Sequence, residues 1–590
     1  MSRAVLNGIA VSAGIAVGKA FFLDRNRNAE IPQRKIREDA VPAELARLSQ
    51  ALDAVRAEIE KAATNIPAGL QDQAAILAAH LMICKDPKLI LTTQRHIRSR
   101  HNAEWALAEA VADIAVSFNM IDDAYIRERL QDVRAVAKRI ISRLLGRGTL
   151  CLPAGEPIVL LAHDLTPTDA LELSPSRILC FATEEGGRTA HTGILARSLR
   201  IPAVVGVNGL ERTVNDGETI ILDALKGLVF VNPDQNAVKN YTELQQHFIQ
   251  FQENVRKQAA LPAETRTGFR VLVRGNTETL PETTAALESG GEGIGLYRTE
   301  YAYISRANAP TEQELLDEYS RVLTTVAPHQ VTFRTLDVGA DKMLWAQKNQ
   351  EEANPALGLR AIRYCLRNQD MFRRQLRALL RASVSGKAAV MFPMISGLKE
   401  LRQAKAVLNE VKQELDASKL PYDRNIPLGI MIELPSAVLT ADALAHEVDF
   451  FSIGTNDLIQ YSLGIDRGNK HVSYLYQPLH PGIVRAVKYV VDMGHREGIS
   501  VSLCGEMASD PYCIPILLGM GIDEFSMAPQ AIPGIKHIIR GIDIDECREL
   551  LRQVYSAGTV ETVNRIVKQA LFQRFPAELP FYVSVLDSEE

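Results

Sequence analysis

The sequence predicts a multidomain α/β protein: a small split α/β unit holding an inserted helical bundle, followed by a (β/α)8, or TIM, barrel. Three observations carry that prediction. At 590 residues the chain is too long for one core, because single hydrophobic cores stop growing well below that length. Helical periodicity fills the stretch between two regions of short strands near the front. Beyond Leu261 a strand-then-helix rhythm repeats eight times, the pattern by which parallel strands with crossover helices close into a barrel.

The segment Val5 to Phe22 is apolar enough to raise the question of a signal peptide, but Asn7, Gly8, Ser12, Gly14, Gly18 and Lys19 interrupt it, and it reads as two short strands. A polar stretch, Arg25 to Arg37, leads to Val41, Leu45, Leu48, Leu52, Val55 and Ile59. Steps of four and three place these on one helix face. Helical patterns at Gln71 to Ile83, Pro87 to Arg100, Ala103 to Asn119 and Asp122 to Leu145 complete an antiparallel bundle, most of whose apolar positions are structural. Short β-rich runs follow at Pro157 to Ala162, Arg177 to Phe181, Ala203 to Val207, Thr219 to Asp223 and Leu228 to Val231. Only Thr168 to Leu173 and the stretch from His191 read as helical there. Pro233 and Asp234 end this unit, and Asn236 to Ala259 reads as a long polar linker helix. The barrel strands are expected at Arg270 to Arg274, Gly293 to Tyr297, Val331 to Leu336, Ala388 to Pro393, Leu428 to Ile432, Phe450 to Ile453, Ser500 to Leu503 and Glu524 to Met527.

Composition narrows the function. With 46% hydrophobic and 23% charged residues and a net charge of -5, the chain is ordinary globular protein rather than a sequence-independent nucleic-acid binder. Seven scattered cysteines without a CxxC pair indicate neither a disulfide framework nor a zinc site, and fit a reducing cytoplasm. No run approaches the ~20 apolar residues of a membrane helix.

Two places carry chemistry. In GGRTAHTGILAR, a glycine pair meets a helix start at His191. Gly186 and Gly187 permit close backbone approach, Thr189 can cap the following turn, and the amides of Ala190 to Thr192 would face an anion. Neutral imidazole is a competent nucleophile near neutral pH, so the arrangement suits covalent handling of a phosphoryl group, although a histidine beside glycines is more often a satisfied turn residue. His80 is a rival in an Ala-rich helical pattern, where packing is the better reading. The second place is the set of residues just past each barrel strand, the face on which such barrels build active sites. Arg298 and Arg334, with Lys342 and Arg360 as weaker candidates, supply donors for phosphate and carboxylate. Glu433 and Asp457 are hard oxygen ligands suited to Mg²⁺, or alternatively a balance to the arginines. Cys504 could protonate a carbon, its intrinsic pKa near ~8.5 being close enough to neutrality, or it is a structural thiol.

At this point the residues closely resemble the Enzyme I family of the bacterial phosphoenolpyruvate-dependent sugar phosphotransferase system, through nearly the whole chain. The resemblance rests on GGRTAHTGILARSLRIPAVVG, GIGLYRTEY, FRTLDVGADK, NPALGLRAIR, GIMIELPSA, FFSIGTNDLIQYSLGIDRGN and LCGEMASDP. It implies that His191 is the phosphorylated histidine and Cys504 the proton donor. It also implies phosphoenolpyruvate contacts from Arg298, Arg334, Asn456, Asp457 and Arg467, and Mg²⁺ on Glu433 and Asp457. The implied domains are a discontinuous α/β phosphohistidine domain (1–30 and 147–233), a helical bundle docking the phosphocarrier HPr (31–146), a linker (234–262), and a phosphoenolpyruvate-binding barrel that dimerises (263–590). HPr is expected on the bundle around Gln71 to Ile83 and Tyr125 to Arg139. Departures from the family pattern are Ala190 where Ser is common, Ala340 where Gly is common and Ser509 where Gly is common; none removes a charge or nucleophile. The sensor domain of the nitrogen branch and the ATP-binding domain of the dikinases are not expected, which favours the sugar branch. A carbon-bond or isomerising barrel enzyme using Mg²⁺ and an enolate, and a non-catalytic scaffold, remain as alternatives. The tail from Glu578 has no role in any of these readings.

Overall fold

A computed structural model describes residues 4–23, 31–64, 72–119, 124–146, 156–165, 177–186, 196, 201–304, 308–339, 354–466, 469, 471–582 and 584. The chain divides into two compact units, Met1–Ile249 and Gln250–Glu590.

The first unit holds an eight-stranded sheet in the order β1-β8-β7-β3-β4-β5-β6-β2. Its strands are β1 (Ala4–Asn7), β2 (Ile9–Ser12), β3 (Ile15–Phe22), β4 (Ile158–Ala162), β5 (Ile178–Thr183), β6 (Ala203–Val205), β7 (Thr219–Asp223) and β8 (Leu228–Val231). Sequence reasoning expects two strands before residue 23; there are three. Gly8 and Gly14, read as interruptions, are the two points where the chain turns. Gly8 N donates to Gly227 O at 2.8 Å, and Gly14 has φ +152, a conformation that glycine alone adopts without strain, with no room for a Cβ beside the Pro202 ring. A further one-turn helix, Leu210–Thr213, was not legible as helix and starts at Gly209 with φ 81.

The intervening chain forms helices Val41–Thr64, Asp72–Cys84, Pro87–Arg98, Ala103–Asn119 and Ala124–Leu144. Leu48, Val55, Ile59, Leu77, Ile97, Leu107 and Ile140 share one core there. The third helix starts sharply because Pro87 occupies its first turn and Asp86 accepts from Lys88 N. His80 is 3% exposed and faces Asp132 at 3.5 Å, so it packs within the bundle.

The helix Gln235–Lys257 crosses from the first unit into the second. Beyond it, β9 (Leu272–Thr277), β10 (Ile294–Arg298), β11 (Gln330–Arg334), β12 (Lys387–Phe392), β13 (Leu428–Ile432), β14 (Phe450–Ile453), β15 (Ser500–Leu503) and β16 (Glu524–Met527) form a closed barrel. Every pairing is parallel, and closure comes from β9 bonding both β10 and β16. Parallel strands covered by helices are buried on both faces, which explains their near-continuous apolar runs such as Leu428-Gly-Ile-Met-Ile432.

Phe581, Tyr582 and Ser584, beyond helix Val560–Arg574, are packed against the rest of this unit. Phe251 of the crossing helix lies 5.4 Å from the Phe581 ring and 5.6 Å from Tyr582. Tyr582 donates to Gly534 O at 3.2 Å, and Ser584 Oγ to Asp510 Oδ2 at 2.7 Å. Part of the tail that had no expected role therefore ties the crossing helix to the chain just beyond Cys504.

Candidate active site

The carboxyl ends of the barrel strands surround a cavity of ≈ 450 Å³. Arg298, Arg334, Arg360, Glu433, Asn456, Asp457 and Cys504 all line it, so the fold brings seven of the expected site residues together. His191, Lys342 and Arg467 lie outside the described residues, as do Thr168 to Leu173, Ala190 and Ala340.

Arg334 closes β11, and its side chain is largely buried. It bonds Glu300 at 3.0 Å through Nη2 and Asp337 at 2.8 Å through Nη1. Arg360 reaches the other oxygen of Asp337 at 2.9 Å and stands 3.7 Å from Asp457. The carboxylates hold both guanidiniums firmly in the charged form, against the opposing effect of burial. Arg298 is the more open cation, 41% exposed and bonded to Glu278 at 2.7 Å. The three planar forks are thus pre-oriented by carboxylates, as bidentate recognition of an anion requires.

On the same face, one oxygen each of Asp337, Glu433 and Asp457 lies within 4.8 Å of the others. Glu433 is 1% exposed and accepts from Met394 N at 2.5 Å. Burial first, then the neighbouring Asp337 and Asp457 charges, push its carboxyl well above the usual carboxylate range. Three acidic groups crowded out of water are a donor set that a hard divalent cation would satisfy.

Cys504 follows β15 and sits 5% exposed among Leu296, Met391 and Met431. Ser452 Oγ donates to its sulfur at 3.3 Å, its backbone N donates to Ile453 O at 3.1 Å, and Asn276 Nδ2 donates to its carbonyl at 2.9 Å. Burial pushes the thiol up to about 11, against the lowering effects of Ser452 and Arg334. The sequence-based value near ~8.5 is therefore corrected upward: at neutral pH this group is a thiol, ready to give a proton. Asn456 is oriented by Glu506, whose backbone N donates to its Oδ1 at 2.8 Å.

Gly505 shows how tightly the loop fits, since a Cβ there would overlap Thr455 Oγ1. Gly505→Ala is expected to displace Cys504 and Asn456 together and lower turnover at least tenfold, with the protein still folded by circular dichroism. Wild-type turnover would show that the loop yields.

Sequence reasoning missed four participants. Asp337 bridges both arginines and joins the acidic cluster, Glu300 anchors Arg334, Glu278 holds Arg298, and Ser452 touches the thiol. Position past a strand end could have marked Asp337, Glu300 and Glu278; a lone serine inside a strand gives no such signal.

The comparisons with known proteins agree along the length of the chain. Residues 7–129 match the N-terminal domain of PEP-utilising enzymes, residues 154–227 their mobile domain and residues 252–544 their PEP-binding domain. A phosphoenolpyruvate-protein phosphotransferase of Geobacillus stearothermophilus is 43% identical over 96% of this chain and 98% of its own length. One from Staphylococcus aureus is 41% identical over 96% of this chain and 100% of its own. A solution structure of an Enzyme I protein overlays 41% of this chain and 99% of that chain at 37% identity, with a TM-score of 0.34. Among the described residues no helix is long and apolar enough to cross a membrane.

Proposed function

The chain belongs to the phosphoenolpyruvate-protein phosphotransferases, PEP-utilising enzymes with N-terminal, mobile and PEP-binding domains, and we propose that His191 is its phosphoryl carrier. The carrier takes the group from phosphoenolpyruvate with release of pyruvate, then passes it to a histidine of the phosphocarrier HPr, the first step of sugar uptake. The observation that carries this reading is the barrel cavity itself, where three arginines, five carboxylates and a buried cysteine converge.

Phosphoenolpyruvate binds with its phosphate and carboxylate on Arg298, Arg334, Arg360 and Asn456, joined by Lys342 and Arg467. His191 attacks phosphorus in line, an N–P bond forms, and the bridging P–O bond breaks with its electron pair passing to the enolate. The arginines face charge that grows on that oxygen, which is where fixed donors lower the barrier most. Cys504 then gives its proton to the methylene carbon, yielding pyruvate. Glu433 and Asp457, with Asp337, would hold Mg²⁺, which when bound supplies positive charge to the phosphate and enolate oxygens. For this step His191 has to reach the phosphorus held in the barrel cavity. HPr docks on the bundle around Gln71 to Ile83 and Tyr125 to Arg139, and the protein works in the cytoplasm as a homodimer through the barrel.

Incubation with phosphate-labelled phosphoenolpyruvate and Mg²⁺ is expected to give acid-labile, alkali-stable label on the protein, absent from His191→Ala and passed on to purified HPr. Label that persists in the variant would overturn the assignment of His191; no label on either protein would overturn the phosphotransferase reading.

A further inference from the structure

The interior of a barrel is ordinarily filled with branched apolar side chains in layers. Around Cys504, where Leu296, Met391 and Met431 pack, a few polar side chains join them. Ser452 on β14 is 1% exposed, Asn276 and Ser526 stand on β9 and β16, and Ser526 Oγ donates to Asn276 Oδ1 at 2.5 Å. Asn276 in turn holds the Cys504 carbonyl, and Ser452 Oγ lies 3.3 Å from the Cys504 sulfur. Three strands thus place polar side chains around Cys504: the Ser526–Asn276 pair ends on its carbonyl, and Ser452 alone meets its sulfur.

A serine hydroxyl in so apolar a pocket costs free energy unless it is bonded. Its partner here is the Cys504 sulfur, which in the thiol form is a weak acceptor. The thiolate is a strong one, and hydrogen bonds to ionised groups are roughly twice as strong as neutral ones. The Ser452 hydroxyl is therefore placed for the charge that sulfur carries after the proton leaves, not for the resting state. Interactions stronger late in a step than early in it are those that raise its rate.

We propose that Ser452 is a positioning residue for the proton transfer: its hydroxyl aims the Cys504 thiol and donates a hydrogen bond to the thiolate formed when the enolate takes the proton. The proposal rests on the reading of Cys504 as the donor. In the step, the S–H bond breaks, a C–H bond forms at the methylene carbon from the enolate's π pair, and the S–H electron pair stays on sulfur. Water restores the thiol after pyruvate departs. Nothing else need be supplied.

The test is a double-mutant cycle read in single turnover, following label on the protein and pyruvate in solution separately. Ser452→Ala is a small deletion in a rigid interior. It is expected to slow pyruvate formation about ten- to a hundredfold, the range of one hydrogen bond to a charged group, with protein labelling changed less than about twofold. In a Cys504→Ala background the same substitution is expected to cost nothing further, because the group it serves is gone. Equal slowing of labelling and pyruvate formation, or a multiplicative further loss in the Cys504→Ala background, would mean that Ser452 merely supports the barrel. If Cys504→Ala alone leaves pyruvate formation at the wild-type rate, the donor assignment fails; if Cys504→Ala is slow and Ser452→Ala is not, only the present proposal fails.

Discussion

Arg334→Met is expected to lower kcat/KM for phosphoenolpyruvate by about 100- to 1000-fold, the usual consequence of removing one donor from a site of developing negative charge, and to destabilise the protein as well. The second effect comes from the pairing. Glu300 is 8% exposed and bonds Arg334 at 3.0 Å, and Asp337 bonds it at 2.8 Å. Removing the guanidinium leaves these buried carboxylates short of a counter-charge, and breaking a buried pair in this way costs about 3–5 kcal/mol. Arg334→Lys separates the two roles. Lysine keeps the charge but not the planar fork, so it should recover more of the thermal midpoint than of kcat/KM. A midpoint and a kcat/KM both near wild type in Arg334→Met would remove this residue from the site.

Cys504→Ala is expected to slow pyruvate formation by about 100- to 10,000-fold, the span of a lost general acid, while KM for phosphoenolpyruvate changes only a few-fold. The thiol touches Ser452 and backbone rather than any of the arginines, so substrate binding has little reason to depend on it. With burial pushing the thiol up to about 11, the donor stays in its protonated form at neutral pH. Parallel losses in KM and pyruvate formation would argue for a structural cysteine.

How much of this was readable from the chain depends on how local the information is. Arg298, Arg334, Glu433 and Cys504 each follow a short apolar run, so a strand and the residue past it can be read together. The strand bounds followed the same logic: β13 and β14 fall where their apolar runs are. β9 was expected at Arg270 to Arg274 but runs Leu272–Thr277, because Gly275, Asn276 and Thr277 give its end no apolar run: Asn276 turns inward to the Cys504 carbonyl and Ser526, and Thr277 meets Thr283 of the following helix. Asp337 stands in the same stretch as Arg334 and was still overlooked. Its importance comes from Arg360, 23 positions on, and from Glu433 and Asp457, which lie past the ends of other strands. Ser452 was invisible for the same reason, since only barrel closure places its hydroxyl against a sulfur 52 positions away.

The split sheet has a consequence for synthesis. Among the described residues β1 bonds only β8, with Ala4 opposite Val231, about 230 positions further along the chain. At about 5–20 residues per second, on the order of 10–45 s pass between the two strands leaving the ribosome. The bundle, whose helices run from Val41 to Leu144, can assemble from local contacts during that wait. The opening strands cannot, and they spend it as unpaired apolar edges of the kind that chaperones recognise. The helical insertion thus lengthens the time in the life of the nascent chain for which the front of the protein must be protected.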